Sequence, residues 1–182
     1  MNDLAPAASG APAPPNASSL LAGKYMTFQL AGEDYGLEIL KVREIIGLLQ
    51  ITPIPRAPDF IRGVINLRGR VIPVVDLRVK FGLPATDATE QTVVIVLQVE
   101  VDGRTLTMGV LVDRVLEVLN IDATAIEPPP DLGRVSANAD FILGVGKTAH
   151  RVVFLLDIAR ALTGADASQL SATSQLRQPV ST

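Results

Sequence analysis

The chain contains no cysteine, no tryptophan and a single histidine, His150, among its 182 residues. Without thiols there is no disulfide, no thiolate nucleophile and no zinc–thiolate site, and a reducing cytoplasm suits such a sequence. A lone imidazole has no second histidine with which to hold a transition metal, so His150, lying between two apparent strands, reads as a polar turn residue. No apolar run reaches the roughly 18 residues that a membrane helix needs. The first 23 residues carry neither Lys nor Arg and no continuous apolar stretch, which sets them apart from a signal peptide. A strong charge of either sign is also lacking: the net charge of −3 offers little field for nucleic acid or acidic lipid. The serines cluster in the tails and none occupies a G-x-S-x-G elbow. The nearest approach to a phosphate loop, GVGK (144–147), lacks the leading glycine and the following Ser or Thr. Two carboxylates, Asp76 and Asp157, stand at similar strand ends and could in principle do acid–base work. Helix capping is the simpler shared task for them, and the chain reads as a non-enzyme with no cofactor.

What the sequence does have is aliphatic residues. Hydrophobic residues make up 48% of it and aromatics only 4%, so Val, Leu and Ile must fill the core. Runs such as VVIVL (93–97) and VIPVV (71–75) are short and β-branched, which favours strands. KYMTFQLA (24–31) and YGLEI (35–39) flank a turn-rich GED and predict a hairpin. KVREIIGLL (41–49) reads as a helical turn running into a strand. ITPIPRAPDF (51–60), with three prolines, reads as a loop or edge with one short helical turn at PDF. GVINL (63–67) and VIPVVDL (71–77) predict a second hairpin, and RVKFGL (78–83) a short helix ended near Pro84. QTVVIVLQVEV (91–101) and RTLTMGVLV (104–112), joined by Asp102-Gly103, predict a third. A long loop, 127–140, precedes a fourth hairpin, FILGVG (141–146) with RVVFLLDI (151–158), and ARALTG (159–164) closes as a helix. Residues 1–23, poor in large apolar groups, read as a disordered tail, and 165–182 as frayed or weakly helical.

The chain also repeats itself. FIRGVINLRGRVIPVVDL (60–77) aligns without gaps to FILGVGKTAHRVVFLLDI (141–158), with identities that include Gly63/Gly144, Arg70/Arg151 and Asp76/Asp157. YGLEILKVREII (35–46) aligns to MGVLVDRVLEVL (108–119), matching Gly36/Gly109, Val42/Val115 and Glu44/Glu117. The shared order of two blocks points to two copies of one small all-β unit of about five strands, which curls into a barrel and so removes exposed edges. The groove between two such barrels is a natural binding site. Charge is uneven as well: residues 41–80 hold eight Lys or Arg against three acids. That stretch is either a solvated surface or a contact surface for an acidic partner.

GVINLRGRVIPVVDLR (63–78) resembles the signature of the CheW family of chemotaxis coupling proteins and of the CheW-like regulatory domain of the kinase CheA. YGLEILKVREI (35–45), PDFIRG (58–63), TVVIVL (92–97) and VLVDRVLEVL (110–119) extend the likeness over about 24–164. The resemblance implies two intertwined, five-stranded Src-homology-3-like barrels with short helices. It implies a cytoplasmic adaptor that binds the CheA regulatory domain on one surface and the chemoreceptor cytoplasmic tip on another, within receptor arrays and without entering the membrane. The kinase itself, and the receiver-bearing CheV proteins, need further domains for which a chain of this length has no room, so a stand-alone adaptor is expected.

By motif context, the family's receptor-contact positions fall on Val42, Glu44, Arg68 and Val118, lining the groove between the barrels. Kinase-contact or barrel-supporting positions fall on Gly47, Gly63 and Gly109. Arg68 stands at a hairpin tip, where a guanidinium offers up to five donors, and its repeat mate is Ala149, so the barrel does not demand arginine there. For Val42, core packing competes with contact. For Glu44, an internal pair with Lys41 or Arg43 competes. For the glycines, positive φ or close strand approach is the simplest reason. The alternative function is a nucleic-acid-binding barrel using 41–80, but its base-stacking platform would have to be Phe60, whose mate Phe141 points to core.

Overall fold

The computed structural model describes residues 17–129, 141–162, 166 and 169–172. Most of the two expected tails, most of the 127–140 loop and the end of the 159–164 helix lie outside the described residues. The four expected hairpins form. They are β1 (Gly23–Leu30) with β2 (Glu33–Glu38), β4 (Ile61–Leu67) with β5 (Arg70–Asp76), β6 (Val93–Val101) with β7 (Arg104–Val112), and β10 (Ile142–Lys147) with β11 (Val152–Leu156). Three of them turn on two residues of positive φ, Ala31-Gly32, Arg68-Gly69 and Asp102-Gly103. This geometry matches the right-handed twist of the flanking strands. A 3-10 turn, Ile39–Lys41, leads into β3 (Val42–Gly47), as the sequence suggests, and β8 (Arg114–Ile121) is its repeat counterpart. A two-residue β9 (Ile126–Glu127) and the short helices α2 (Leu77–Lys80) and α3 (Ile158–Ala161) complete the body. In the proline loop, the helical turn expected at 58–60 is a tight turn in which the Ile61 amide donates to the Pro58 carbonyl at 2.9 Å.

The sheets do not coincide with the repeats. One sheet runs β3-β6-β7-β5-β4 and the other β8-β1-β2-β11-β10-β9. Five consecutive strands, β3 to β7, thus make the first sheet, while the second joins the N-terminal hairpin to the C-terminal strands. The frame is shifted by two strands from the repeat, and each lobe holds pieces of both copies. This corrects the simpler picture of one barrel per copy. Each sheet joins the copies twice, once antiparallel, through β1–β8 or β3–β6, and once parallel: β11 pairs β2 through Phe154–Tyr35 and Leu155–Gly36, and β5 pairs β7 through Val74–Gly109 and Val75–Val110. The duplication is visible in detail. The register shifts between Ile61 and Gly63 in β4 and between their mates Ile142 and Gly144 in β10. Likewise Phe60 and Phe141 each offer a carbonyl to the amide of the following Asp76 or Asp157.

Each curled sheet encloses a small apolar core, Ile65, Ile72, Val74, Val94 and Val96 in one and Tyr25, Ile121, Ile126, Val153 and Leu155 in the other. A larger core lies between them, built from Phe28, Leu37, Ile95, Leu97, Met108 and Leu156 among others. Most of the few aromatic rings meet there: Tyr35 stands 5.9 Å from Phe28, 5.9 Å from Phe81 and 5.7 Å from Phe154, and Phe81 stacks on Phe141 at 4.4 Å. Burying the apolar face of both sheets against each other, at roughly 25 cal/mol per Å², is what makes two small barrels one body. Two expectations about the tails change. Residues Ala17–Leu21 form a helix, α1, whose Leu21 packs on the second core and accepts a hydrogen bond from the Tyr25 hydroxyl at 2.6 Å. In the segment expected to be frayed or weakly helical, residues 166 and 169–172 are helical, and Leu170 is fully buried in the central core rather than frayed.

Candidate functional site

Arg68 and Glu44 come together. The β4–β5 turn fixes Arg68 in left-handed backbone, φ 51°, and the Asn66 side chain accepts from the Gly69 amide at 2.9 Å to brace the turn. From that tip the guanidinium donates to both oxygens of Glu44 on β3, at 3.0 and 2.8 Å. β3 and β4 stand at opposite ends of the strand order, so this bidentate pair spans the curl of the sheet. Arg68 remains 75% exposed and Glu44 27%. The hydrogen bond to Glu44, then its charge, pushes the Arg68 pKa further up against a small opposing effect of burial, so the guanidinium is charged at every accessible pH. Neither expected partner of Glu44, Lys41 or Arg43, is the one it takes. Arg68, in turn, is an exposed turn residue that is ion-paired.

The pair stands at the rim of a cleft of about 310 Å³ lined by Arg43, Arg70, Leu67, Ile72, Val96 and Gln98 besides Arg68 and Glu44. Ile72 and Val96 belong to the core of the five-stranded sheet, so the cleft is the open end of that small barrel. It lies within one lobe rather than between two. Val42 shares β3 with Glu44 but packs against the central core. Val118 is on β8 of the other sheet, opposite Met26, and is 49% exposed. The structure therefore joins two of the four expected receptor-contact residues and sets Val118 on a different lobe. Gln98 and the Arg43–Arg70 pair of cations escaped the sequence reading; only their place in the basic stretch hinted at the latter.

The three glycines differ. Gly63 has φ 143°, and a Cβ there would stand 2.1 Å from the Thr52 carbonyl oxygen. At Gly109 a Cβ would stand 2.6 Å from Val94 Cγ1. Both support the sheet, as close approach predicts. At Gly47 a Cβ meets nothing within 4 Å and the backbone is unstrained. The general expectation that these glycines answer backbone demands fails there. Gly47 ends β3 beside the exposed Leu48 and Leu49.

The residues singled out as candidate reaction groups hold other places in the fold. Asp76 and Asp157 are the N-caps of α2 and α3, accepting from the amides of Arg78 at 2.9 Å and Arg160 at 3.4 Å. His150 is exposed in the β10–β11 turn. No group of three or more His, Cys, Asp or Glu among the described residues could hold a metal. Phe60 packs against the central core, with the Lys80 ammonium 4.3 Å from its ring centre. No helix among the described residues is long and apolar enough to cross a membrane.

A double-lobed β body that presents a paired guanidinium and carboxylate at the rim of a surface cleft has the form of a binding module. Residues 24–166 match the model of the CheW-like domain, and the chain belongs to that family. It is 41% identical over 140 residues to the chemotaxis protein CheW of Klebsiella aerogenes, covering 77% of this chain and 81% of that one. It is 35% identical over 133 residues to the CheW of Rhizobium meliloti, covering 73% and 83%. The crystal structure of the scaffolding protein TtCheW from Thermoanaerobacter tengcongensis superimposes with a TM-score of 0.69 at 35% identity, over 80% of this chain and 97% of that one. The chain is a chemotaxis coupling adaptor with the all-β CheW fold, and not an enzyme.

Proposed function

We propose that this adaptor couples chemoreceptors to a CheA-type histidine kinase in the cytoplasm, holding the two in fixed geometry so that a receptor change alters the balance of kinase states. The observation that carries the receptor half is the Arg68–Glu44 pair, preorganised at the rim of a cleft by the β4–β5 turn. Receptor contact then centres on Arg68 and Glu44, with Val42 behind them and Val118 on the neighbouring lobe. The kinase half rests on the far end of β3, where Gly47 leaves backbone open beside Leu48 and Leu49 while Gly63 and Gly109 keep the sheet in shape. Exposed apolar residues clustered on a strand end are a common interface core. Association of the adaptor with membrane-bound receptor arrays follows from these two contacts and needs no membrane segment.

Arg68→Glu places two carboxylates face to face across the cleft and removes the donor fork. It is expected to weaken binding to a receptor cytoplasmic fragment by about tenfold or more while leaving the urea midpoint and the binding of a CheA regulatory domain close to wild type. Normal receptor binding by this variant refutes the assignment of the cleft.

A further inference from the structure

The internal repeat lets the two barrel ends be compared residue by residue, and their charges are opposite. In the six-stranded sheet, Arg151 donates to Asp34 at 3.2 Å and to Glu117 at 2.5 Å, and Gln29 donates to Asp34 at 3.3 Å. One guanidinium there is held by two carboxylates. Glu117 is the mate of Glu44, Arg151 of Arg70, and Asp34 of Thr107. In the five-stranded sheet the same frame carries Arg43 where its counterpart has Leu116, Arg68 where it has Ala149, and Thr107 in place of Asp34. The cleft thus holds three guanidinium groups and one carboxylate, and Glu44 is already engaged by Arg68. Arg43 and Arg70 are exposed, and no carboxylate of the described residues lies within 4.0 Å of either. Since the repeat-related lobe is built without this excess, folding does not account for it.

We propose that Arg43 and Arg70 are specificity-determining residues that receive a carboxylate-bearing segment of the protein partner, its acidic side chains at the cleft rim and its apolar ones over Leu67 and Ile72. The inference rests on the receptor reading above and deepens it by assigning the partner's charge. Guanidinium groups suit carboxylates because they offer parallel donors, and charges converging on a concave, low-dielectric wall steer an oppositely charged partner. An acidic peptide fits better than a single-stranded nucleic acid because no aromatic ring lines the cleft.

The test uses the full chain and a chemoreceptor cytoplasmic fragment. Relative to wild type, the double variant R43Q/R70Q is expected to lose about five- to tenfold in affinity at low salt, mostly through a slower on-rate. The difference should shrink below about twofold near 1 M salt, where the Debye length is about 3 Å. R43K/R70K, which keeps the charge, should stay within about threefold of wild type. Arg104→Gln, at the β6–β7 turn outside the cleft lining, should change binding by less than about twofold, as a lone exposed charge does. If R43Q/R70Q binds like wild type at low salt while Arg68→Glu does not, this inference falls and the receptor reading stands. If Arg68→Glu also binds normally, both fall. Equal losses from Arg104→Gln, or displacement of the receptor fragment by a single-stranded oligonucleotide in wild type but not in R43Q/R70Q, overturn the assignment to an acidic protein segment.

Discussion

Asp113 stands where the chain crosses from β7 in one sheet to β8 in the other, and the link it makes there should be one of the strongest single contributions to stability. Arg78, just after β5, donates from Nε to Oδ1 at 2.8 Å and from the second terminal nitrogen to Oδ2 at 2.6 Å, while its remaining nitrogen donates to the Pro84 carbonyl at 2.6 Å. Asp113 Oδ2 also accepts from the Ala31 amide in the β1–β2 turn at 2.9 Å. One carboxylate therefore ties the five-stranded lobe to the tip of the hairpin in the other. Only 14% of the Arg78 side chain and 28% of Asp113 are exposed. Asp113→Ala leaves a largely buried guanidinium without its counter-charge and an amide without its acceptor. Full burial would cost about 3–5 kcal/mol; partial exposure of Asp113 lowers the expectation to about 2–3 kcal/mol, or a Tm lower by about 5–10 °C. The hydrogen bond from Arg78, ahead of the Ala31 amide and the Arg78 charge, holds the Asp113 pKa below its usual 3.8 against the opposing effect of burial. A depressed folded-state pKa gives stability that is fully present above the unfolded value near 4 and is lost as pH falls through the folded value. The stability gap between wild type and Asp113→Asn, measured by urea unfolding, should therefore be constant from pH 5 to 7 and narrow below about pH 4. A gap at pH 2.5 equal to that at pH 7, or a double-mutant cycle with Arg78→Ala showing no coupling, refutes the clamp.

The glycines give a paired prediction. Gly63→Ala drives a methyl into the Thr52 carbonyl and should cost about 3 kcal/mol or more, whereas Gly47→Ala meets open space and should stay within about 0.5 kcal/mol by chemical denaturation. Thr27, fully buried, gives its hydroxyl hydrogen to the Glu117 carbonyl at 2.6 Å and accepts from the Glu117 amide at 3.1 Å, filling the gap left by the register shift in the β1–β8 pairing. Thr27→Val keeps the shape and orphans both backbone groups. It should cost about 2 kcal/mol and speed hydrogen exchange at the Glu117 amide; unchanged exchange there would mean the backbone pairs by another route.

How much was readable from residues alone varies by element. The hairpins at 24–39, 63–77, 91–112 and 141–158 were legible because alternation and turn chemistry act over a few residues: Asp102-Gly103, and Gly69 after Arg68, suit the required positive φ wherever the strands end up. The capping role of Asp76 and Asp157 was legible for the same local reason. The partner of Glu44 was not. Lys41 and Arg43 are near in sequence, yet Arg68 wins because the sheet curls until its tip faces β3. The need for glycine at Gly63 and Gly109, and its absence at Gly47, likewise depends on what crosses opposite. Leu170 looked like tail because only a distant core gives it something to pack on.

The sequence by itself determined that this is a duplicated, aliphatic, β-strand protein, since composition, alternation and the repeat are properties of the chain in any conformation; its likeness to the CheW family lay in motifs such as GVINLRGRVIPVVDLR. Only the tertiary structure decided how the copies combine. An edge strand offers the same amides and carbonyls to its own copy as to the other, so local patterning is silent on the choice. The parallel joins of β2 to β11 and β5 to β7, with the core they bury between the lobes, shift the barrels by two strands and bring Arg43, Arg68 and Arg70 to one rim.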